Sequence, residues 1–142
     1  MWQLFRDAAA ITVISFILHI IWERAHISLY TGYAALEGVL PVYVFATIGD
    51  VAYTLLVLGV VAVFGGMSVI RTPRATDYLA FAVCGFFIAL FVEYKAMALG
   101  RWAYTDAMPL IKGIGLSPLL QMTVLLPLTV YVYTLVERWR RG

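Results

Sequence analysis

The chain has 142 residues, the length of one ordinary domain, but 63% of them are hydrophobic and only 13% are charged. Soluble domains have about 45–50% apolar and about 25% charged residues, so this composition excludes a water-soluble fold and predicts an integral membrane protein. The net charge of +2 is too small for a nucleic-acid-binding surface. The single cysteine excludes a disulfide framework within the chain.

Four apolar segments are long enough to cross a membrane as helices, since a hydrocarbon core about 30 Å thick needs roughly 20 helical residues. In chain order, the predicted spans cover residues 8–27, 40–64, 78–99 and 117–136. The Gly65-Gly66 pair, Pro73 and the glycine-rich stretch 100–115 mark the breaks between them. We therefore expect an all-α protein, a single integral membrane domain built as an antiparallel four-helix bundle. The density of glycine and proline after residue 100 predicts a bent, partly re-entrant lid or an interfacial hairpin.

The distribution of basic residues predicts the orientation of the bundle. The side shared by the two termini carries six arginines, Arg6, Arg71, Arg74, Arg138, Arg140 and Arg141, and the other side carries Arg24, Arg101 and Lys112. Because lysine and arginine are enriched in cytoplasmic loops, both termini are expected in the cytoplasm, in an inner or plasma membrane. So small a bundle has little interior of its own, which leaves a homodimer open.

Polar side chains recur at helical spacing within these apolar spans. The first span carries Ser15, His19, Glu23 and His26, and the second carries Tyr43, Thr47, Asp50 and Thr54. Intervals of three and four residues place each set on one helical face. The third span contributes Glu93, followed by Tyr94, and the fourth contributes Gln121. A charge at membrane depth costs roughly 2.5–3.5 kcal/mol, so we expect these faces to meet inside the bundle.

The depths of these groups agree although neighbouring spans run in opposite directions. At a rise of 1.5 Å per residue, Glu23, Glu93 and Gln121 lie roughly 6–8 Å from the non-cytoplasmic end of their spans. His19 and Asp50 lie roughly 14–15 Å deep. The sequence therefore predicts a shared polar pocket in that half of the membrane. His26 is closer to the interface and is expected to be a solvated residue at the helix end.

Buried carboxyl groups that lie close together tend to keep a proton, and a protonated acid can protonate a carbon–carbon double bond. Neighbouring carboxylates and aromatic faces can then stabilise the carbocation. Here Glu23 and Asp50 are the acid candidates, with His19 as a relay and Glu93 as a counter-charge. The alternative is structural pairing, of Glu93 with Lys95 or Arg101 and of Asp50 with His19.

Metal and cofactor chemistry finds less support in the sequence. Glu23-x-x-His26 has the spacing found in di-iron bundles, but such bundles need a second copy, which this chain lacks. A single divalent ion held by His19, Glu23 and Asp50 is a remaining alternative. We expect no resident cofactor.

From about Tyr78 onwards the features follow one another in a recognisable order: Glu93, then Gly100-x-Trp102-x-Tyr104, then Gly113 and Gly115, then the Pro118–Gln121 tetrapeptide. This order resembles the small membrane lycopene cyclases of carotenoid synthesis. That family has Pro-x-Glu-Glu at the last element, where this chain has Leu120 and Gln121 in place of the two glutamates. The resemblance implies a membrane enzyme that protonates a polyene.

The first half carries His19-x-x-x-Glu23 in one span and Thr47-Ile48-Gly49-Asp50 in the next. This pair of elements resembles the EXPERA group, which includes the emopamil-binding sterol isomerase. Both resemblances imply acid–base chemistry on flat isoprenoid lipids.

The sequence thus predicts an isomerase or cyclase of isoprenoid-lipid metabolism that acts on a hydrophobic lipid. The catalytic residues would be His19, Glu23, Asp50 and Glu93. The substrate-binding residues would be Trp22, Tyr43, Thr47, Tyr94, Trp102, Tyr104 and Gln121. Two other classes stay open: a non-catalytic lipid- or pigment-binding subunit of a membrane complex, and a proton-coupled transporter that uses the same acids as a relay.

Overall fold

The computed structural model describes residues 2–32 and 40–142, and its main elements are helices. They are α1 (Trp2–His26), α2 (Val42–Gly65), the short α3 (Ser68–Arg71), α4 (Ala75–Ala98) and α5 (Leu116–Arg141). All four long helices have the length and hydropathy needed to cross a membrane. The prediction of an all-α membrane bundle is therefore confirmed.

Both chain termini lie at one end of the bundle, where the Arg6 guanidinium is 3.8 Å from the Glu137 carboxylate. We call this the termini end and the opposite one the hairpin end. Helices α1 and α5 extend past the predicted spans here, to Trp2 and to Arg141. The additional turns of these helices carry polar residues. A span predicted from hydropathy ends where polar residues begin, but the helix itself continues through them.

The four long helices form an open arch rather than a closed ring. Helices α1 and α5 pack against each other in the middle, α2 packs on α1, and α4 packs on α5. Helices α2 and α4, at the two ends of the arch, scarcely touch. A cleft therefore remains between them, and it faces the space that lipid would occupy.

The closest helix packing joins α4 to α5. Gly85 is buried, and a methyl group added at its position would collide with the backbone of Met122. Small residues let membrane helices approach closely, so that van der Waals contact replaces the hydrophobic driving force that is absent between helices in lipid. Phe81 and Leu126, both almost wholly buried, belong to the apolar core beside this contact.

Two short antiparallel strand pairs form the hairpin end. Strand β1 (Tyr30–Thr31), which follows α1, pairs with β2 (Ala103–Tyr104), and β3 (Leu110–Ile111) pairs with β4 (Ile114–Gly115). The turn between β3 and β4 contains Lys112 and Gly113, both with positive φ, as a tight hairpin requires. The sequence showed no strand alternation because two-residue strands are too short to display it.

We expect Gly85→Ala to destabilise the bundle by about 1–3 kcal/mol, the usual cost of overpacking, because the new methyl group meets backbone that cannot move aside. Gly59→Ala in α2 is the matched control, since nothing lies within 4 Å of its added methyl group. Unfolding by denaturant in detergent micelles measures both changes. Equal stabilities of the two variants would show that α4 and α5 are not in backbone contact at Gly85.

Candidate functional site

The cleft between α2 and α4 holds a cavity of about 350 Å³. Its polar wall contains Glu23 from α1, Asp50 from α2, Glu93 from α4 and Gln121 from α5. The rest of the wall is mainly apolar or aromatic and includes Tyr30, Phe45, Tyr53, Ile88, Val92, Trp102 and Met122. Acidic side chains from three helices therefore face one mainly apolar cavity between α2 and α4.

Gln121 connects two of these acids. Its amide nitrogen donates to Glu23 Oε1 at 2.8 Å and to Asp50 Oδ2 at 2.7 Å. These two bonds use both amide hydrogens. Gln121 thereby holds two carboxyl groups from different helices within a few ångströms of each other, although like charges would separate them.

His19 lies behind this pair and is wholly buried. Its Nδ1 is 3.4 Å from Asp50 Oδ2, and its Nε2 is 3.4 Å from the Thr54 hydroxyl. The arrangement fits an imidazole that donates from Nδ1 to the carboxylate and accepts at Nε2 from the hydroxyl. His19 therefore orients Asp50 from behind and does not line the cavity.

His26 continues the chain of contacts on the other side of Glu23. Its Nε2 lies 3.1 Å from Glu23 Oε1, and its Nδ1 lies 2.8 Å from the Ser117 hydroxyl, which accepts from Trp22 Nε1 at 3.3 Å. Only 5% of His26 is exposed, so the expectation of a solvated helix-end residue was wrong. The residue lies in the last turn of α1, but the start of α5 covers it.

A second groove on the outer side of the arch reaches the same histidine. It lies between α1 and α5 and is lined by Trp22, Ser117 and His26 together with apolar side chains. His26 lines both this groove and the cleft. The imidazole therefore connects the outer groove to Glu23.

Glu93 forms a separate cluster on the opposite arm of the arch. Its carboxylate accepts from the Tyr104 hydroxyl at 2.5 Å, from Trp102 Nε1 at 3.3 Å and from the Tyr30 hydroxyl at 3.4 Å. The pairing of β1 with β2 brings Tyr30 beside Tyr104. Three donors therefore point at the Glu93 carboxyl group, and they provide hydrogen bonds to both of its oxygens.

The structural pairing considered for Glu93 is not present among the described residues. Neither Lys95 nor Arg101 lies within salt-bridge distance of it there, and the Lys95 ammonium lies 5.8 Å from the centre of the Phe91 ring instead. Arg101 lines the cavity as an exposed residue. The pairing considered for Asp50 with His19 does occur.

Five of the residues expected to bind substrate lie outside the cavity wall: Trp22, Tyr43, Thr47, Tyr94 and Tyr104, of which Tyr104 is hydrogen-bonded to Glu93. Trp22 faces the outer groove, Tyr43 lies under the Arg24 guanidinium, and the Thr47 hydroxyl donates to the Tyr43 carbonyl. Tyr94 is 69% exposed on the outer face of α4. Its position follows from the helix, because the residue after Glu93 is turned by about 100°.

Other residues of the site were not identified from the sequence. Tyr30 and Ser117 lie just outside the predicted spans or at their edge, and their partners are 63 and 91 residues away in the chain. Tyr53 lines the cavity from α2 but belongs to no polar stripe. An aromatic residue immediately after the first span was the one available signal for Tyr30.

The residues proposed for a divalent ion do not form a metal site. The Gln121 amide nitrogen lies between them, within 3.2 Å of His19 Nδ1 as well as bonded to both carboxylates. Across residues 2–32 and 40–142, no three His, Cys, Asp or Glu side chains are grouped so that they could hold a metal ion.

No protein-family model matches this chain, and no curated protein or solved structure matches it significantly. The resemblances to lycopene cyclases and to the EXPERA group stay predictions from the sequence. Function is therefore argued from the geometry of the site.

The environment of Tyr104 generates a prediction about pH. Burial, and then its hydrogen bond to Glu93, raise the pKa of this phenol above the ordinary value of 10.0. The folded protein holds the proton more tightly than the unfolded chain, so the stabilisation is complete below pH 10 and is lost as the pH rises further. Thermal unfolding should therefore show a steeper loss of stability above pH 10 for the wild type than for Tyr104→Phe.

The conservative control for this measurement is Tyr94→Phe, which removes a phenol from the exposed face of the same arm. It should follow the wild-type pH dependence. If Tyr104→Phe and Tyr94→Phe give the same curve, the Tyr104 phenol is not held by Glu93.

Proposed function

We propose that this protein is a membrane enzyme of isoprenoid-lipid metabolism, an isomerase or cyclase that moves a proton onto and off a carbon–carbon double bond. One observation carries the proposal: two separate carboxyl clusters flank one mainly apolar cavity between α2 and α4. Proton transfer at two positions of one substrate needs a donor and an acceptor that are held apart, and this arrangement offers both.

The cavity favours a hydrophobic, flat and unsaturated substrate. Its volume of about 350 Å³ is within the usual range for small-molecule sites and would hold a ring or a few isoprene units. The remainder of a longer chain would stay among the lipid tails, because the opening lies between two membrane-spanning helices. The faces of Tyr30, Phe45 and Trp102 suit a polyene and would stabilise a cation formed on it.

In the proposed reaction, Glu23 donates a proton to one carbon of a double bond, and the electron pair of that bond forms the new C–H bond. The carbocation that remains lies between the Asp50 and Glu93 carboxyl groups, and the next step requires Glu93 to be ionised. Glu93 then removes a proton from a neighbouring carbon, and the electrons of that C–H bond form the new double bond. If a second double bond attacks the cation before this step, the product is a ring. Neither version needs an oxidant or a reductant.

Glu23 is the preferred donor because its hydrogen-bond chain continues out of the cavity. His26 and Ser117 connect it to the outer groove, whereas the chain from Asp50 through His19 ends at the buried Thr54 hydroxyl. In the proposed cycle, His26 returns a proton to Glu23 after each turnover, and Glu93 releases the proton it removed to water at the hairpin end, where its partners Trp102 and Tyr104 are partly exposed. The Gln121 amide fixes the carboxyl groups, and it does not need to carry a proton.

The proposal predicts that the protein incorporates deuterium into an isoprenoid lipid. Cells that express the wild type are lysed, and their membranes are incubated in heavy water and analysed by untargeted lipid mass spectrometry. A lipid that gains carbon-bound deuterium should appear, and its labelling should fall by at least about 100-fold in Glu23→Gln and in Glu93→Gln. Asp106→Asn, an exposed acid outside the cavity, is the matched control and should label normally.

Three results would contradict the enzyme. Equal labelling by wild type and by both glutamine variants would show that these carboxyl groups transfer no proton. An unlabelled lipid that co-purifies equally with the wild type and Glu23→Gln would favour a lipid-binding subunit. Proton flux through the protein in empty liposomes would favour a transporter.

The proposed role of His26 gives a further prediction, because the chain has a second histidine on the same helix for comparison. His26→Ala should slow the labelling by at least about 100-fold, and added imidazole should restore part of the rate through the outer groove. His19→Ala should not respond to imidazole, because His19 is wholly buried. Rescue of both variants, or of neither, would exclude His26 as the route by which Glu23 regains its proton.

A further inference from the structure

A further, smaller pocket lies at the termini end of the bundle, far from the polar wall of the cleft. It has a volume of about 110 Å³ and lies where α3 meets the last turns of α5. Three guanidinium groups line it, those of Arg71, Arg138 and Arg141, and the hydroxyl-bearing Thr72 and Thr134 complete the wall. The space is enough for a phosphate group, but it is too small for an acyl chain.

The positive charge at this pocket exceeds the negative charge. Glu137 is the one carboxylate in the pocket wall, and it is shared with Arg140 at 2.8 Å, Arg141 at 3.6 Å and Arg6 at 3.8 Å. Arg138 has no carboxylate within 4.0 Å among the residues that the structure describes. An anion in the pocket would therefore meet guanidinium groups that the protein's own acids leave incompletely neutralised.

The third guanidinium is fixed in position before any ligand arrives. Arg71 donates from Nε and from a terminal nitrogen to Asp7 Oδ2, at 2.9 and 2.5 Å. Asp7 is buried, and the aromatic ring of the fully buried Tyr133 packs at the same place. A guanidinium held in this way loses little conformational entropy when it binds an anion, which favours a specific site over a diffuse basic surface.

The depth of the pocket indicates the source of the anion. Trp139, between Arg138 and Arg141 in sequence, is 87% exposed, and Trp2 at the start of α1 is 77% exposed. Exposed tryptophans at the ends of spanning helices lie at the level of lipid headgroups. The arginines of the pocket lie in the same helical turns, where phosphodiester groups of membrane lipids are concentrated.

We propose that this pocket binds the phosphate of an anionic membrane lipid, with Arg138 and Arg141 donating to the phosphate oxygens and Arg71 behind them. Guanidinium groups bind phosphate through paired, charge-assisted hydrogen bonds. The site is independent of the cleft. It would fix the ends of α1, α3 and α5 relative to the membrane surface.

The test measures lipid binding to the purified full chain in detergent micelles by native mass spectrometry. The probes are short-chain phosphatidylglycerol, short-chain phosphatidylcholine and inorganic phosphate. The wild type should retain one phosphatidylglycerol in preference to phosphatidylcholine. Arg138→Gln and Arg141→Gln should each weaken this binding about tenfold, the effect of losing one charge-assisted hydrogen bond.

Arg74→Gln is the matched control, because it removes the same charge from the same end of the bundle but from an exposed position outside the pocket wall and away from Glu137. It should bind phosphatidylglycerol as the wild type does. Equal weakening by all three substitutions would indicate a diffuse charge effect and would overturn the pocket. Binding of inorganic phosphate without binding of phosphatidylglycerol would overturn the lipid as its source, and binding of neither probe would overturn the site.

Discussion

The Gln121 amide is the interaction on which the arrangement of the cleft depends. A primary amide has two hydrogens, and here each is donated to a carboxyl group from a different helix, Glu23 of α1 and Asp50 of α2. Without this donor, Glu23 Oε1 would keep only its contact with His26 and Asp50 Oδ2 only its contact with His19, and nothing would connect the two carboxyl groups. Helix α5 therefore does more than pack in the middle of the arch. It sets the distance between the Glu23 and Asp50 carboxyl groups, and it does so with a neutral group.

The open side of the arch is possible because the two ends of the bundle are held by other contacts. At the termini end, Asp7 of α1 is bonded to Arg71 of α3, which fixes the connection between α2 and α4. At the hairpin end, the pairing of β1 with β2 joins the end of α1 to the segment after α4. Between these two points α2 and α4 need no contact of their own. Because these contacts hold the bundle together at both ends, the cleft between α2 and α4 can remain open without weakening the fold.

The sequence predicted the spanning helices and the polar faces well, because both depend on periodicity within one helix. His19 and Glu23 are one turn apart, so a helix alone places them on one face. The same argument, applied strictly, would have excluded Tyr94 as a neighbour of Glu93 in the site. The spacing of residues within one helix does not show which other helix or strand packs against each of its faces. The Tyr30 and Ser117 contacts depend on how the hairpin end folds back over α1, and the sequence shows no pattern for strands of two residues. For the same reason His26 was expected to face solvent, although the start of α5 covers it.

An apolar layer in the bundle interior separates the polar residues around His19 from those around Asp7. This layer affects which proton-transfer routes are available to the acids of the cleft. From His19 to Asp7 is about 18 Å along α1 at 1.5 Å per residue. Between them the bundle is filled by Ile11, Leu58, Leu126 and Val130, each at most 4% exposed. The Ser15 hydroxyl, buried at this level, has no hydrogen-bond partner within the described part of the chain. Among residues 2–32 and 40–142, the hydrogen bonds that join Glu23, His19 and Thr54 therefore do not continue through Ser15 towards the termini end. Under the proposed function, the cleft would take its protons from the side of the His26 groove, and the apolar layer would separate that chemistry from the acids at the termini end.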